Sequence, residues 1–291
     1  MLVVSPVLVP LITAVLAVLL YRKPRAQQAA SIAGAAVLLV CALWLIENIS
    51  ADGAVSVAMG SWPLPFAIEL VADRLSVIMV LVTAVLGLSV LVYQLGSPES
   101  MHASEMMHPL VHGLLAAVCG TLLTADLFNL YVWFELMLIT VLGLLVVHDG
   151  LRNLEAAFKY FALNLLGTLL FLAAVAMIYG ATGQLNFGAL GEASQRAELQ
   201  GAIPVYIAML FTAFLLKAAA FPLYFWLPAS YHTLPAPLLA LIGGLITKVG
   251  VYVMLRLSGE VFIDQPAVFY QALGWIAVVT MVSGVLGAAY H

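Results

Sequence analysis

The sequence predicts an all-α, polytopic membrane protein with about nine transmembrane helices. Three observations carry that prediction. Hydrophobic residues make up 65 % of the 291-residue chain and charged residues only 8 %, whereas a soluble domain is about a quarter charged. A soluble fold of this composition has too few polar groups to cover its surface. Apolar residues also run in stretches of about 20, the length that crosses the hydrocarbon core of a bilayer. Finally, a few ionisable residues stand in the middle of such stretches.

The apolar stretches fall near residues 2–21, 28–47, 74–95, 108–124, 126–147, 157–179, 203–227, 235–257 and 268–290. Backbone polar groups in lipid must be satisfied within the structure, which leaves helices or a closed barrel. Barrel strands are short and alternate in polarity. These runs are long and continuously apolar, so they are read as helices. The first run precedes its positive charges, Arg22, Lys23 and Arg25. A signal peptide has the opposite order, so this run is read as a retained span.

Two connections are longer than the rest. Residues 48–73 contain VSVAMGSWPLPFAIEL, with β-branched residues and a Pro-Leu-Pro break, and predict a short surface hairpin. Residues 180–202 are small and polar and predict an interfacial loop with a short helix. Lys and Arg near helix ends set orientation. Arg22, Lys23, Arg25, Arg152 and Lys159 fall on one side, and Arg74, Arg196 and Arg256 on the other. That asymmetry predicts an N-terminus on the outer side of the membrane. The chain ends at Tyr290-His291, directly after an apolar run, which is read as a fragment of a longer protein.

Composition and motifs narrow the function classes. No basic run points to nucleic acid. Cys41 and Cys119 lie far apart in apolar stretches, with no metal-ligand spacing around them. No nucleotide loop, nucleophile triad or flavin motif is present, so no cofactor and no metal are expected, and a soluble enzyme is excluded. What remains is a membrane protein whose chemistry lies in its buried charges.

Three charges sit at mid-span: Glu135 in DLFNLYVWFELMLITVLGLLVVH, Lys217 in IPVYIAMLFTAFLLKAAAFPLYFW and Lys248 in PLLALIGGLITKVGVYVMLRL. A charge at mid-bilayer costs about 2.5–3.5 kcal/mol on insertion scales and normally faces the bundle interior or water. Glu135 is about ten residues, or about 15 Å, from either end of its helix, too deep for snorkelling. Two readings stand: a buried structural ion pair, or a proton-handling set. Burial and pairing act in opposite directions on a carboxylate and on a lysine, so a proton arriving at one can change the charge of the other.

Pro222 follows Lys217 by a few residues, and Pro228 comes after it. Proline removes a helix hydrogen bond and clashes with the preceding turn, so the helix is expected to break just beyond Lys217. A simple kink is one reading. Broken helices also line polar cavities and ion sites, the preferred reading beside a buried lysine. Weaker signals carry alternatives. Lys159 either snorkels or extends the polar path. Asp126 and Asn129 are either an N-cap with its first turn or part of a pathway. His108 and His112 share a helix face and are read as interface histidines rather than metal ligands. His232 either relays protons or caps a turn.

The segments DLFNLYVWFELMLI, EAAFKYFALNLLG, LLKAAAFPLYFWLPASYHTLPAP and LIGGLITKVGVY resemble the antiporter-like subunits shared by respiratory complex I, membrane-bound hydrogenases and Mrp-type multisubunit cation/proton antiporters. The D-type subunits of the Mrp antiporters are the most similar. The resemblance runs over nearly the whole chain and is densest from Met107 to Tyr252. It implies two inverted repeats of five helices, each with a broken helix, joined by a central chain of polar residues. On that basis Glu135 matches the family's glutamate, Lys217 the lysine of the broken helix, Lys248 the lysine of the next helix, and His232 the histidine of the intervening loop. The implied organisation is three N-terminal helices over 1–103, a five-helix repeat over 104–257 and the start of a second, truncated repeat over 258–291.

The implied activity is proton and monovalent-cation translocation in a bacterial or archaeal plasma membrane, with other membrane subunits as partners. One alternative in the same superfamily is a proton-pumping subunit of an NADH:quinone oxidoreductase or hydrogenase. Another is a non-transporting scaffold in which the buried charges form a dry pair.

Overall fold

A computed structural model describes residues 2–96, 105–147, 150–196, 201–263 and 267–290. Among them are eleven α-helices and one two-stranded sheet. A short 3-10 turn, Leu2–Val4, leads into α1 (Ser5–Leu19), and α2 follows over Pro24–Asp52. Each of these helices has a proline in its first two positions, where the missing N–H costs nothing. The strands β1 (Val55–Ala58) and β2 (Glu69–Ala72) pair antiparallel, with Val55 opposite Ala72. The hairpin therefore begins later than the expected 48–73. Residues 48–52 continue α2, because no breaker occurs until Gly53, whose φ of 84° ends the helix.

The remaining helices are α3 (Arg74–Leu95), α4 (Met107–Leu123), α5 (Leu127–Val146), α6 (Leu151–Thr182), α7 (Phe187–Ser194), α8 (Ile203–Lys217), α9 (Trp226–Tyr231), α10 (Ala236–Glu260) and α11 (Ala267–Tyr290). Side-chain caps fix several starts. Asp73 accepts from the Ser76 N–H at 2.7 Å and Ser76 Oγ accepts from the Asp73 N–H at 2.8 Å, closing a capping box on α3. Asp126 accepts from the Asn129 N–H at 2.7 Å at the start of α5. Asn186 accepts from the Gly188 and Ala189 N–H groups at the start of α7.

Each of the nine expected segments holds a helix. Among the described residues, seven helices are long and apolar enough to cross a membrane; α4 (17 residues) and α8 (15 residues) are apolar but shorter. The predicted span 203–227 is shortened because α8 stops at Lys217. The predicted loop at 180–202 contains α7; residues 197–200 lie outside the described set.

The core centres on α4, where every residue but Leu110 is buried. Helices α1, α3 and α5 pack around it, and α10 closes the bundle against α3, α4 and α8. Helix α6 packs on α5, α8 and α9. One end of the bundle is capped by the hairpin. The Glu69 carbonyl accepts from the Ala125 N–H at 2.9 Å, and the Ala125 carbonyl accepts from the Phe187 N–H at 2.8 Å. These bonds tie β2 to the α4–α5 link and to the start of α7. Helix α11 packs on the bundle through Phe269 and Leu273, but none of its span is fully buried within the described chain.

Candidate functional site

The site is built around the break after α8. Backbone groups released there must find partners inside the structure. The Ala218 N–H reaches the Phe214 carbonyl at 2.7 Å, and the Ala220 N–H reaches the Leu215 carbonyl at 2.9 Å. The Leu216 carbonyl accepts from the Ala219 N–H at 3.1 Å and from the indole N–H of Trp226 at 2.9 Å. The Phe221 N–H donates to Thr280 Oγ1 of α11 at 2.9 Å. Ala219 adopts φ 53°, a left-handed conformation that an α-helix does not contain. Pro222 then offers no N–H to restart the ladder, and helix resumes only at α9.

Lys217 is the last residue of α8 and is 5 % exposed. Its ammonium lies over the Phe134 ring of α5, 5.9 Å from the centroid. Phe134, Phe171 and Phe214 pack together, with centroids 5.0 to 5.8 Å apart, and form an apolar wall beside it. Glu135 is half-buried, and its Oε1 is buried with no hydrogen-bond partner. Glu135 is the charged group that acts on Lys217 through space. Yet among the described residues no carboxylate comes within 4.0 Å of the Lys217 ammonium. The two therefore interact through space without forming a contact ion pair.

Helix α10 presses against this break at Gly250. A Cβ there would lie 2.8 Å from the Ala218 nitrogen and 2.9 Å from the Phe214 oxygen. Only glycine lets α10 approach the backbone of the last α8 turn so closely.

Several polar groups near Glu135 carry no formal charge and so escape a search for buried charges. Tyr160, Asn164 and Thr168 form a stripe at spacing four along α6, and all three are buried. Tyr131 and Tyr160 both sit in the field of Glu135. Tyr160 packs edge-on against Trp226, and Trp226 against Tyr231, at 5.6 Å in each case. The buried Asn164 Oδ1, Thr168 Oγ1 and Tyr231 hydroxyl have no hydrogen-bond partner. Buried polar atoms of this kind are normally satisfied by internal water. Uncharged polar residues at helical spacing are the sequence signal that marks this stripe.

The other predicted residues lie elsewhere. Lys248 is exposed and donates to the Gly243 carbonyl at 2.7 Å. It falls on the uncovered stripe of α10 with Val251 and Leu255, so it does not join Glu135 and Lys217. Lys159 pairs with Glu155 at 2.6 Å, one turn away on the exposed face of α6. His232 is exposed, and its Nδ1 lies 3.1 Å from the Pro228 carbonyl of its own turn. Asp126 caps α5, and burial pushes its carboxyl above the usual carboxylate range. His108 and His112 both bond to Ser31 of α2. An apolar cleft of about 510 Å³ lies between α8, α10 and α11, beside the break but away from the polar stripe.

A second polar centre lies at the capped end. Arg256 of α10, 5 % exposed, donates to Asp73 Oδ2 and to the Tyr252 hydroxyl, each at 2.9 Å, and lies 3.2 Å from Glu260. The Tyr252 hydroxyl donates to the Leu122 carbonyl at 2.6 Å. The network ties α3, α4 and α10 together. Arg256 is therefore a buried structural cation rather than the end-of-helix charge that its sequence position suggests.

The sequence profile of the family described as "NADH:quinone oxidoreductase/Mrp antiporter, TM" matches residues 124–290, which include α5 to α11 and the whole break. The chain belongs to this family. Among curated relatives of the NADH:quinone oxidoreductase/Mrp antiporter family, the D-type subunit of the Na(+)/H(+) antiporter of Bacillus subtilis is 35 % identical over 286 residues, covering 98 % of this chain and 58 % of the relative. The D-type subunit of a probable K(+)/H(+) antiporter of Rhizobium meliloti is 37 % identical over 270 residues, covering 90 % of this chain and 49 % of the relative. A chain of the Mrp complex from Dietzia sp. superposes with a TM-score of 0.87 at 29 % identity, covering 98 % of this chain and 53 % of the other. The chain thus spans about half the length of the family members it matches. It is a membrane protein with the antiporter-like helical fold.

Proposed function

We propose that this chain is part of the D-type, ion-translocating subunit of a multisubunit monovalent cation/proton antiporter, with Glu135 and Lys217 as its proton-handling pair. The observation that carries this reading is a buried ammonium at a helix break, interacting through space with a half-buried carboxylate without touching it. A contact pair of opposite charges would be locked. A separated pair in a low-dielectric setting responds to each proton gained or lost by either partner. The partnerless polar atoms of Glu135, Asn164, Thr168 and Tyr231 suit a water-filled approach to that pair. Relatives named for Na⁺/H⁺ and K⁺/H⁺ antiport support the substrate class.

In this reading residues 1–103 are an N-terminal three-helix unit, 104–257 a five-helix repeat and 258–291 the beginning of a second. The partners are other membrane subunits, the host is a plasma membrane, and the N-terminus lies outside. Lys248, on an uncovered face, passes protons onward to whatever covers α10 in the assembled complex. His232, which acts on Glu155 through space, belongs with Lys159 to the mouth of the path. The chain moves ions and does not carry out bond chemistry of its own.

The test is cation/proton exchange in vesicles carrying the assembled complex. Glu135→Ala and Lys217→Ala should each abolish exchange. Exchange that survives both substitutions would discard the mechanism. The family's description also covers NADH:quinone oxidoreductase, which keeps a redox-driven pump as the second reading. Purification of the native complex separates the two: co-purifying redox subunits argue for the pump, and small membrane subunits without redox centres argue for the antiporter.

A further inference from the structure

A buried polar cluster joins α2 to α4, apart from Glu135 and Lys217. Its hydrogen bonds determine where the protons sit. His112 Nε2 lies 3.0 Å from both the carbonyl oxygen and the hydroxyl of Ser31. A carbonyl only accepts, so His112 Nε2 carries the hydrogen. The Ser31 hydroxyl lies 3.1 Å from His108 Nδ1, where it is placed to donate its own hydrogen. In that arrangement His108 carries its proton on Nε2, and His112 Nδ1 is left with a bare lone pair. His112 and Ser31 are fully buried, and His112 Nδ1 has no hydrogen-bond partner. A buried, unpartnered ring nitrogen calls for a donor, and a water molecule supplies one.

Polar contacts continue along α2 toward the end of the bundle. Gln27, one turn before Ser31, donates to the Ala17 carbonyl at 2.8 Å and to the Glu105 carbonyl at 2.7 Å. Glu105 is exposed. His108 stands one turn before His112 on α4, nearer that same end.

We propose that His108, Ser31 and His112 form a proton relay, with one water bound at His112 Nδ1, separate from the Glu135–Lys217 site. The step balances without any other reactant. A proton binds at His112 Nδ1, and the Nε2 proton of His112 passes to Ser31 Oγ. The Ser31 proton passes to His108 Nδ1, and His108 releases its Nε2 proton. The three groups end with as many protons as they began with, in the mirror-image tautomers.

Of the groups around His112, His108 acts on it through space. Helix α1 contributes no charged side chain, and Arg25 of α2 is exposed. Glu47 of α2, Arg74 of α3, and Arg256 and Glu260 of α10 lie toward the capped end. Glu135 is at the middle of α5, and Lys248 is on the uncovered face of α10. None of the ion pairs among described residues includes either histidine.

The test is nitrogen-15 NMR of the full chain in lipid bilayers with labelled histidine, His112 being assigned by its loss in His112→Gln. The relay predicts a bare Nδ1 on His112 with proton transfer from water to it. It further predicts that Ser31→Ala slows exchange at His108 Nε2 at least tenfold, and that Glu135→Gln leaves the rate unchanged. A protonated Nδ1 in the neutral ring, or no transfer from water, overturns the proposal even if Ser31→Ala does not fold. Unchanged exchange in Ser31→Ala also overturns it. Slowing in Glu135→Gln shows one continuous path and overturns the separation.

Discussion

The Lys217 ammonium sits 5.9 Å from the centre of the Phe134 ring, while Glu135, the next residue on α5, holds a buried carboxylate oxygen with no partner. Consecutive residues on a helix point about 100° apart, so α5 offers Lys217 an aromatic face and, beside it, a charge. A cation over a desolvated ring gains about 2 kcal/mol or more. Phe134→Leu keeps the apolar volume and removes the ring. Exchange by the assembled complex should fall roughly tenfold, the rate equivalent of about 1.4 kcal/mol, with subunit abundance unchanged. Unchanged exchange would show that the ring only fills space.

Gly250 is set by backbone contact. Gly250→Ala brings a methyl group to 2.8 Å from the Ala218 nitrogen and 2.9 Å from the Phe214 oxygen. Overpacking of this kind costs about 1–3 kcal/mol, so the melting temperature of the purified protein should drop. Gly243 of the same helix has no atom within 4 Å of its virtual Cβ. Gly243→Ala should be neutral or slightly stabilising, since alanine favours helix by up to about 1 kcal/mol.

The indole of Trp226 satisfies the Leu216 carbonyl across the break. Trp226→Phe keeps most of the ring volume and removes the N–H. The Leu216 carbonyl keeps the Ala219 N–H, so the loss is one hydrogen bond, about 0.5–1.5 kcal/mol. Amide hydrogen exchange should rise across residues 216–224 and stay unchanged in α1 and α2. A uniform rise would mean general destabilisation instead.

Legibility in the sequence follows the physics of each signal. Continuous apolar runs locate the helices, and Pro222 locates the break, because both act over short sequence distances. The end of α8 at Lys217 and the start of α9 at Trp226 depend on Thr280 and on the Trp226 indole, partners that periodicity does not reveal. Lys248 resembles Lys217 in sequence, as both lie mid-run among apolar residues. The difference is which face of the helix is covered, and that is set by α8 and α11 rather than by neighbours in sequence. Arg256 reads as an interface charge because its partner Asp73 is 183 residues away. The Tyr160–Asn164–Thr168 stripe is present in the sequence as a spacing-four pattern, but only uncharged groups carry it.

Asp73 makes the capped end sensitive to acid. Burial pushes its carboxyl up, but the Ser76 N–H and hydroxyl and the Arg256 guanidinium outweigh that and hold it below the usual carboxylate range. A carboxylate depressed in the folded state contributes stability above its unfolded value, about 3.9, and loses it as pH falls through the folded value. Thermal stability should therefore fall as pH drops below about 4. Asp73→Asn should remove that part of the acid dependence and cost about 1–3 kcal/mol at neutral pH, because Arg256 loses one carboxylate and keeps Glu260.

The central claim is that Glu135 and Lys217 work as one unit across a gap. The direct measurement is a double-mutant cycle on cation/proton exchange by the assembled complex in vesicles, with Glu135→Asp, Lys217→Arg and both together. Each single change moves one charge while keeping its sign. The account predicts strong non-additivity: the double variant is no slower than the slower single variant. Slowing in the double variant equal to the product of the two single effects would show that the residues act independently and would contradict the account.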